Sequence, residues 1–220
     1  MGVINMKEMK HLDKYSPEIK YLCQKDKHLA KVIQMIGPLD YYLAEDGYAF
    51  LVSQIIGQML SNKVADVLTN RLTDTCHGKI TLAEIDQLTD VEIHELGLSR
   101  SKVSYIRNLN QAVKSGTIDF DKYREMSDND VINSLTTVKG IGNWSAKMYL
   151  LFSLDRPNVL PFEDLAFLQS YGWVYKTDDY TAKTVQKKCL KWSPYTSIAA
   201  RYMYEALNTG LTKEPFHLFK

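Results

Sequence analysis

Two adjacent carboxylates, Glu163 and Asp164, follow Leu160-Pro161-Phe162 and stand just ahead of the apolar run Leu165-Ala166-Phe167-Leu168. A carboxylate held at one point can deprotonate or orient a water, or stabilise positive charge as it develops. Upstream lies Gly140-Ile141-Gly142, with Leu135 and Val138 before it and Ser145-Ala146 after it. Glycines allow positive φ and let another backbone come close. A turn that opens a helix leaves N–H groups and the positive end of the dipole for an anion. Phosphate is the natural guest, held without reading any base, and Lys139 and Lys147 add charge beside it. Each feature also has a plainer reading. The acid can merely cap a helix, and the glycines can merely pack a helical hairpin. For an acid alone, the cap is the better reading.

The elements that must position these residues are helical. Ser16-Pro17 opens a helix whose apolar spacing runs from Ile19 to Ile36 and stops at Gly37-Pro38. Residues 48–60 are apolar nearly all round, as in a buried helix, and Ser61-Asn62 caps the next one. Thr81 with Glu84, and Thr89 with Glu92, read as capping boxes. Further helices start at Ser99 and at Ser127, the second leading into the glycine turn at 135–147. Three more follow: Asp164 to Trp173, Thr181 to Leu190, and Ser193-Pro194 to Leu207. No alternating strand and no fixed-period repeat stands out. The expectation is an all-α chain of about ten helices, with residues 1–15 as a polar arm. Residues 16–220 then form one helical domain, as one body or as two lobes separated by a groove.

Composition narrows the partners. A net charge of +1 excludes a basic envelope that coats nucleic acid, so any such contact must be local. The run Arg100, Lys102, Arg107 contains no acid, yet a solvated helix face is its leading reading. Cys23, Cys76 and Cys189 lack metal-ligand spacing and are odd in number, which points to a reducing compartment and no side-chain metal site. The five histidines are scattered. The mixed charge of Lys7, Glu8, Lys10, Asp13 and Lys14 does not fit a signal peptide, and no stretch approaches a membrane span.

Taken whole, Leu135-x-x-Val138-Lys139-Gly140-Ile141-Gly142-x-x-Ser145-Ala146 resembles the helix-hairpin-helix of the DNA glycosylase superfamily that carries a Gly/Pro-rich loop and a distal Asp (HhH-GPD). Leu51 to Ala65 and Gly97 to Ile106 resemble two further segments of that family. Trp192 to Tyr204 is similar to the C-terminal helix of its 3-methyladenine (alkylbase) branch, the glycosylase II type. The four stretches lie in the family's order and cover most of residues 45–207.

The resemblance implies a two-lobed all-α fold without an iron–sulfur cluster, since only Cys189 follows residue 164. It implies that Asp164, rather than Glu163, is the catalytic carboxylate. Cleaving an N-glycosidic bond builds positive charge on the sugar, which an adjacent carboxylate stabilises. Lys139, Gly140, Ile141, Gly142 and Lys147 would hold the DNA backbone, with a monovalent cation at the hairpin backbone and no other cofactor. Trp144 stands where bifunctional members have their Schiff-base lysine, so a monofunctional enzyme is implied. A base must be extruded and its gap filled; Met59 or Leu60 matches the intercalating wedge. An alkylated purine is cationic and suits an aromatic wall, drawn from Trp144, Phe162, Tyr42, Tyr48 and Trp192, of which only one or two need touch the base. The implied partner is double-stranded DNA with damaged bases, met by a monomer in the cytoplasm (nucleoid) or nucleus.

Two departures put substrate range in doubt. Thr196 stands where the C-terminal motif often has Arg, and Met59 stands where a second Gln often follows Gln58. The alternatives are a glycosylase for oxidised, deaminated or mispaired bases, and a non-catalytic DNA-binding module in which Asp164 only caps. A panel of single-lesion duplexes separates the first, and binding without base release marks the second.

Overall fold

The computed structural model describes residues 6–219. Two strands, β1 (Met6–Leu12) and β2 (Leu39–Ala44), pair into a two-stranded ribbon. The chain is mostly helical, as expected, and the ribbon is a minor addition that puts part of the expected polar arm into regular structure; residues 1–5 of that arm lie outside the described residues. The His11 ring nitrogen Nδ1 meets the Asp40 carboxylate at 2.6 Å between the two strands. The rest is helical, and the described residues fall in two compact units: 6–8 with 43–154, and 9–42 with 155–219. Among the described residues no helix is long and apolar enough to cross a membrane.

The first unit is built from α3 (Gly47–Gly57), α4 (Asn62–Thr75), α5 (Leu82–Gln87), α6 (Asp90–Glu95), α7 (Arg100–Lys114), α8 (Asp128–Thr136) and α9 (Asn143–Phe152). Helix α3 is apolar nearly all round, and Leu51, Val52, Ile55 and Ile56 are fully buried. Its N-terminus is capped by Asp46, and those of α4, α7 and α8 by Ser61, Ser99 and Ser127. Of the two expected capping boxes, only Thr89 with Glu92 closes in both directions. Thr81 accepts from the Glu84 N–H, but the Glu84 carboxylate turns to His77 Nδ1 at 2.8 Å.

Two of the three bases in the run on α7, Lys102 and Arg107, hold structure together. Lys102 Nζ donates to the Ile56 carbonyl at 2.7 Å and so closes the C-terminal end of α3. Arg107 pairs with Asp90 at 2.7 Å and donates to the carbonyls of Ile85 and Leu88.

The second unit contains α1 (Pro17–Lys25), α2 (Lys27–Ile36), α10 (Leu165–Tyr175), α11 (Ala182–Cys189) and α12 (Thr196–Asn208). The single helix expected across 16–36 is two, broken at Asp26. That residue is extended, and its carboxylate accepts from the N–H groups of His28 and Leu29 to cap α2. Its second oxygen accepts from Trp192 Nε1 and Lys191 Nζ, each at 2.9 Å, and from the Tyr175 hydroxyl. Helices α2, α10 and α12 pack together around Leu29, Phe167, Tyr171, Tyr202 and Met203. The Ser170 hydroxyl donates to the Met203 carbonyl at 2.7 Å and sets the register of α10 against α12.

Candidate active site

The hairpin belongs to the first unit. Helix α8 ends at Thr136, the Ile141 N–H donates to the Val138 carbonyl at 2.9 Å, and α9 begins after Gly142. Gly140 sits at φ +110°, and a Cβ there would lie 2.3 Å from Cγ of Tyr105. The ring of Tyr105, on α7, therefore forms the floor of the turn. Two side chains grip the turn from outside: Asn108 Nδ2 donates to the Lys139 carbonyl at 3.0 Å, and Gln58 Nε2 to the Gly140 carbonyl at 2.8 Å. Lys102, Tyr105 and Asn108 follow each other at three-residue steps and lie on one stripe of α7.

Of the hairpin residues, Ile141 is buried and anchors the turn, while Gly142 and Asn143 are exposed. No side chain caps the N-terminus of α9, unlike those of α3, α4, α7, α8 and α10. Gly140→Ala should strain the turn and push on Tyr105, costing about 2–4 kcal/mol. Urea unfolding of the variant, beside duplex binding by fluorescence anisotropy, checks this; unchanged stability would contradict the packing of the turn.

The loop after α3 carries the two wedge candidates, and the structure treats them differently. The Leu60 N–H donates to the Gly57 carbonyl at 3.1 Å, which closes a tight turn. Met59, at its tip, has φ +59° and is 100% exposed, while Leu60 is 37% exposed. A large apolar side chain held in solvent on left-handed backbone has no packing role to explain it.

Asp164 belongs to the second unit. It is the N-cap of α10, and Oδ1 accepts from the Phe167 N–H at 2.8 Å. The capping bond of the plainer reading is therefore made, and it leaves the chemistry of the carboxylate open. The residue is only 9% exposed, so its charge sits where water screens it weakly. On α12, burial first and the Asp164 carboxylate second hold the Tyr204 hydroxyl well above its ordinary range. Glu163, its neighbour, is exposed.

Arg201, on the same helix as Tyr204, is a residue that sequence reasoning missed. Arg201 is buried, lies 3.4 Å from Asp155, and its guanidinium sits 3.8 Å over the ring of Tyr41. Burial foremost, and the Asp155 carboxylate besides, push the Tyr41 hydroxyl up to about 12. Gln58, Tyr105 and Asn108 were likewise unseen as supports of the hairpin; the three-residue stripe on α7 was the available signal.

Two of the five aromatic candidates are core residues instead. Trp192 is fully buried with its N–H on Asp26, and Tyr48 is buried with its hydroxyl on Asn110. Trp144 is half-buried in the first unit; in the second, Phe162 is half-buried and Tyr42 exposed. A cavity of about 410 Å³ in the second unit is lined by His28, Tyr175, Lys176, Phe216 and their neighbours, and by none of the candidate residues. Among the described residues no group of His, Cys, Asp and Glu is disposed to hold a metal ion.

Comparison with known proteins bears on the same residues. DNA-3-methyladenine glycosylase 1 of Schizosaccharomyces pombe is 28% identical over 183 residues, which are 81% of this chain and 80% of that protein. YfjP of Bacillus subtilis is 30% identical over 128 residues, 58% of this chain but 44% of YfjP, so the chain spans less than half of that relative. The crystal structure of a DNA-3-methyladenine glycosidase from Bacillus halodurans matches with a TM-score of 0.83 at 29% identity, over 95% of this chain and 97% of that one. The model of the family described as HhH-GPD superfamily base excision DNA repair protein matches residues 52–195, a span that holds the Met59 loop, the hairpin and Asp164. The chain belongs to the HhH-GPD superfamily of base excision DNA repair proteins.

Proposed function

We propose that the chain is a monofunctional DNA glycosylase that hydrolyses the N-glycosidic bond of alkylated purines, of the 3-methyladenine type, in double-stranded DNA. The observation that carries the reading is Asp164, a buried carboxylate fixed at the first turn of α10 by the Phe167 N–H. Two of the relatives described above are named for the same lesion, which supports the choice of substrate.

In this reading Asp164 lies against the sugar and stabilises the charge that develops as the base departs, and it orients the attacking water. A methylated purine leaves as a neutral base, so no strong general acid is needed. The hairpin holds the backbone: the first turn of α9 takes a phosphate, Lys139 and Lys147 add charge, Gly140 and Gly142 allow close approach, and Ile141 anchors the turn from beneath. Trp144, Phe162 and Tyr42 remain the aromatic candidates for the cationic base. The protein acts as a monomer, where DNA is kept.

A monovalent cation at the hairpin would be held by main-chain carbonyls. Those of Val138, Lys139 and Gly140 each accept one N–H and keep a second lone pair, which fits such an ion. When bound it would add positive charge facing the phosphate.

The test is release of free base from methylated duplex DNA, with Asp164→Asn as control. No release by wild type, or undiminished release by the variant, would sink the reading. Met59 fills the gap left by the extruded base. Met59→Ala should slow release from duplex DNA by about tenfold and leave release from single strands unchanged. The melting temperature should not move, because the side chain touches only solvent. Equal slowing on both substrates would remove the wedge role.

A further inference from the structure

We propose that Gln58 is a positioning residue that ties the loop carrying Met59 to the hairpin, so that the wedge and the phosphate clamp are placed as one piece. The effect on rate rests on the glycosylase reading; the tie itself does not.

The loop after α3 has the form of a type II turn. The Leu60 N–H donates to the Gly57 carbonyl at 3.1 Å across it, and Gln58, in its second position, has φ −53° and ψ 127°. The third position of such a turn needs positive φ, which glycine takes at little cost. This chain puts Met59 there, at φ +59°. A side chain stays on left-handed backbone only where its surroundings hold it. Met59 is 100% exposed, so the restraint comes from its neighbours. On one side is the Leu60 bond. On the other is Gln58, whose Nε2 donates to the Gly140 carbonyl at 2.8 Å.

This bond closes a ring within the first unit. Gln58 joins the end of α3 to the hairpin. Asn108 joins the hairpin to α7, through the Lys139 carbonyl at 3.0 Å. Lys102 joins α7 back to the end of α3, through the Ile56 carbonyl at 2.7 Å. Each of the three segments is thus held by the other two, and Gln58 is the link that adjoins Met59. A wedge has to enter the stack at a set distance from the phosphate on which the duplex is held. A loop tied to the clamp arrives there already placed, whereas a loose one must be ordered during extrusion, at a cost in rate.

Gln58→Leu keeps the bulk and removes the donor. Its single-turnover release from methylated duplex at saturating enzyme should fall about tenfold. Duplex affinity should stay within about threefold of wild type, because Asn108 and Tyr105 still hold the hairpin. In a Met59→Ala background the same change should cost less than about twofold, because the side chain it places is gone. An undiminished rate, or the same loss in both backgrounds, would overturn the proposal. Amide hydrogen exchange reads the tie without any substrate. The Leu60 and Ile141 N–H groups, which close the loop and the hairpin, should exchange about tenfold faster in Gln58→Leu and in Gln58→Glu. Those of Ile55 in α3 and Leu150 in α9 should not change. Unchanged exchange at Leu60 and Ile141, or an equal rise at all four, would overturn the tie. If wild type releases no base, the glycosylase reading fails by itself, and the exchange rates still decide whether Gln58 joins the loop to the hairpin.

Discussion

Asp164→Asn should leave the protein folded and lower release of methylated purines by about 10³-fold. Asparagine is as good an N-cap as aspartate, so the bond from the Phe167 N–H survives the change and the melting temperature should move by only a few degrees. What disappears is the charge. At 9% exposure, Asp164 acts through a medium that screens poorly, and no water can substitute for its effect on a developing sugar cation. Glu163 is adjacent in sequence but exposed, and its charge is screened. Single-turnover kinetics with calorimetry on the same preparation make the check. A folded variant with full activity would reduce Asp164 to a cap, and a collapsed melting temperature would make it a structural carboxylate.

Asp26→Ala should have the largest effect on stability, a loss of about 3–5 kcal/mol and about 10 °C in melting temperature. Asp26 is 2% exposed, caps α2 through one oxygen, and accepts from Trp192, Lys191 and Tyr175 through the other. Its removal leaves the buried Trp192 N–H, the Tyr175 hydroxyl and the partly exposed Lys191 ammonium without this acceptor, besides an uncapped helix. The same group sets a pH dependence. Burial opposes its charge, but hydrogen bonds from Tyr175, Lys191 and Trp192 outweigh it and hold the carboxyl below the usual range. A carboxylate depressed in the folded state contributes fully above its unfolded pKa of about 3.9, and that contribution is lost as pH falls through the folded value. Wild-type stability should therefore fall below about pH 4, and Asp26→Ala should lack that share of the fall. Urea unfolding of both proteins across this range makes the comparison; parallel curves would refute the assignment.

Asp26 also shows what the chain order hides. The apolar spacing from Ile19 to Ile36 reads as one helix because α1 and α2 bury residues on a shared rhythm. The residues that make the break stable, Tyr175 and Trp192, lie 149 and 166 positions further along. Local signals fared better where the cause was local. Ser61, Ser99 and Ser127 each cap the helix their position announces, because a cap needs only its own first turn. The ribbon escaped notice because neither strand alternates cleanly: Met9 is exposed, and Tyr41 and Tyr42 adjoin each other. Arg107 and Lys102 look like a solvated face until their carbonyl partners are seen. The same holds at the candidate site. Asp164 and the glycines were legible as types at a spacing, whereas Gln58 and Asn108 act through contacts that no spacing encodes. Trp192 and Tyr48 share the chemistry of a base-binding wall, and only burial separates them from one.

The grip on the glycine turn bears on whether that turn is portable. Its carbonyls are held by Gln58 and Asn108, and the ring of Tyr105 lies under Gly140. A peptide spanning residues 135–147, or a graft of that segment onto another helical scaffold, would carry the glycines and lysines but none of these three side chains. Such a graft should sample many turn shapes and grip a phosphate poorly until a glutamine, an asparagine and an aromatic ring are built in around it. The working unit for transplantation is the turn together with one stripe of α7 and the end of α3.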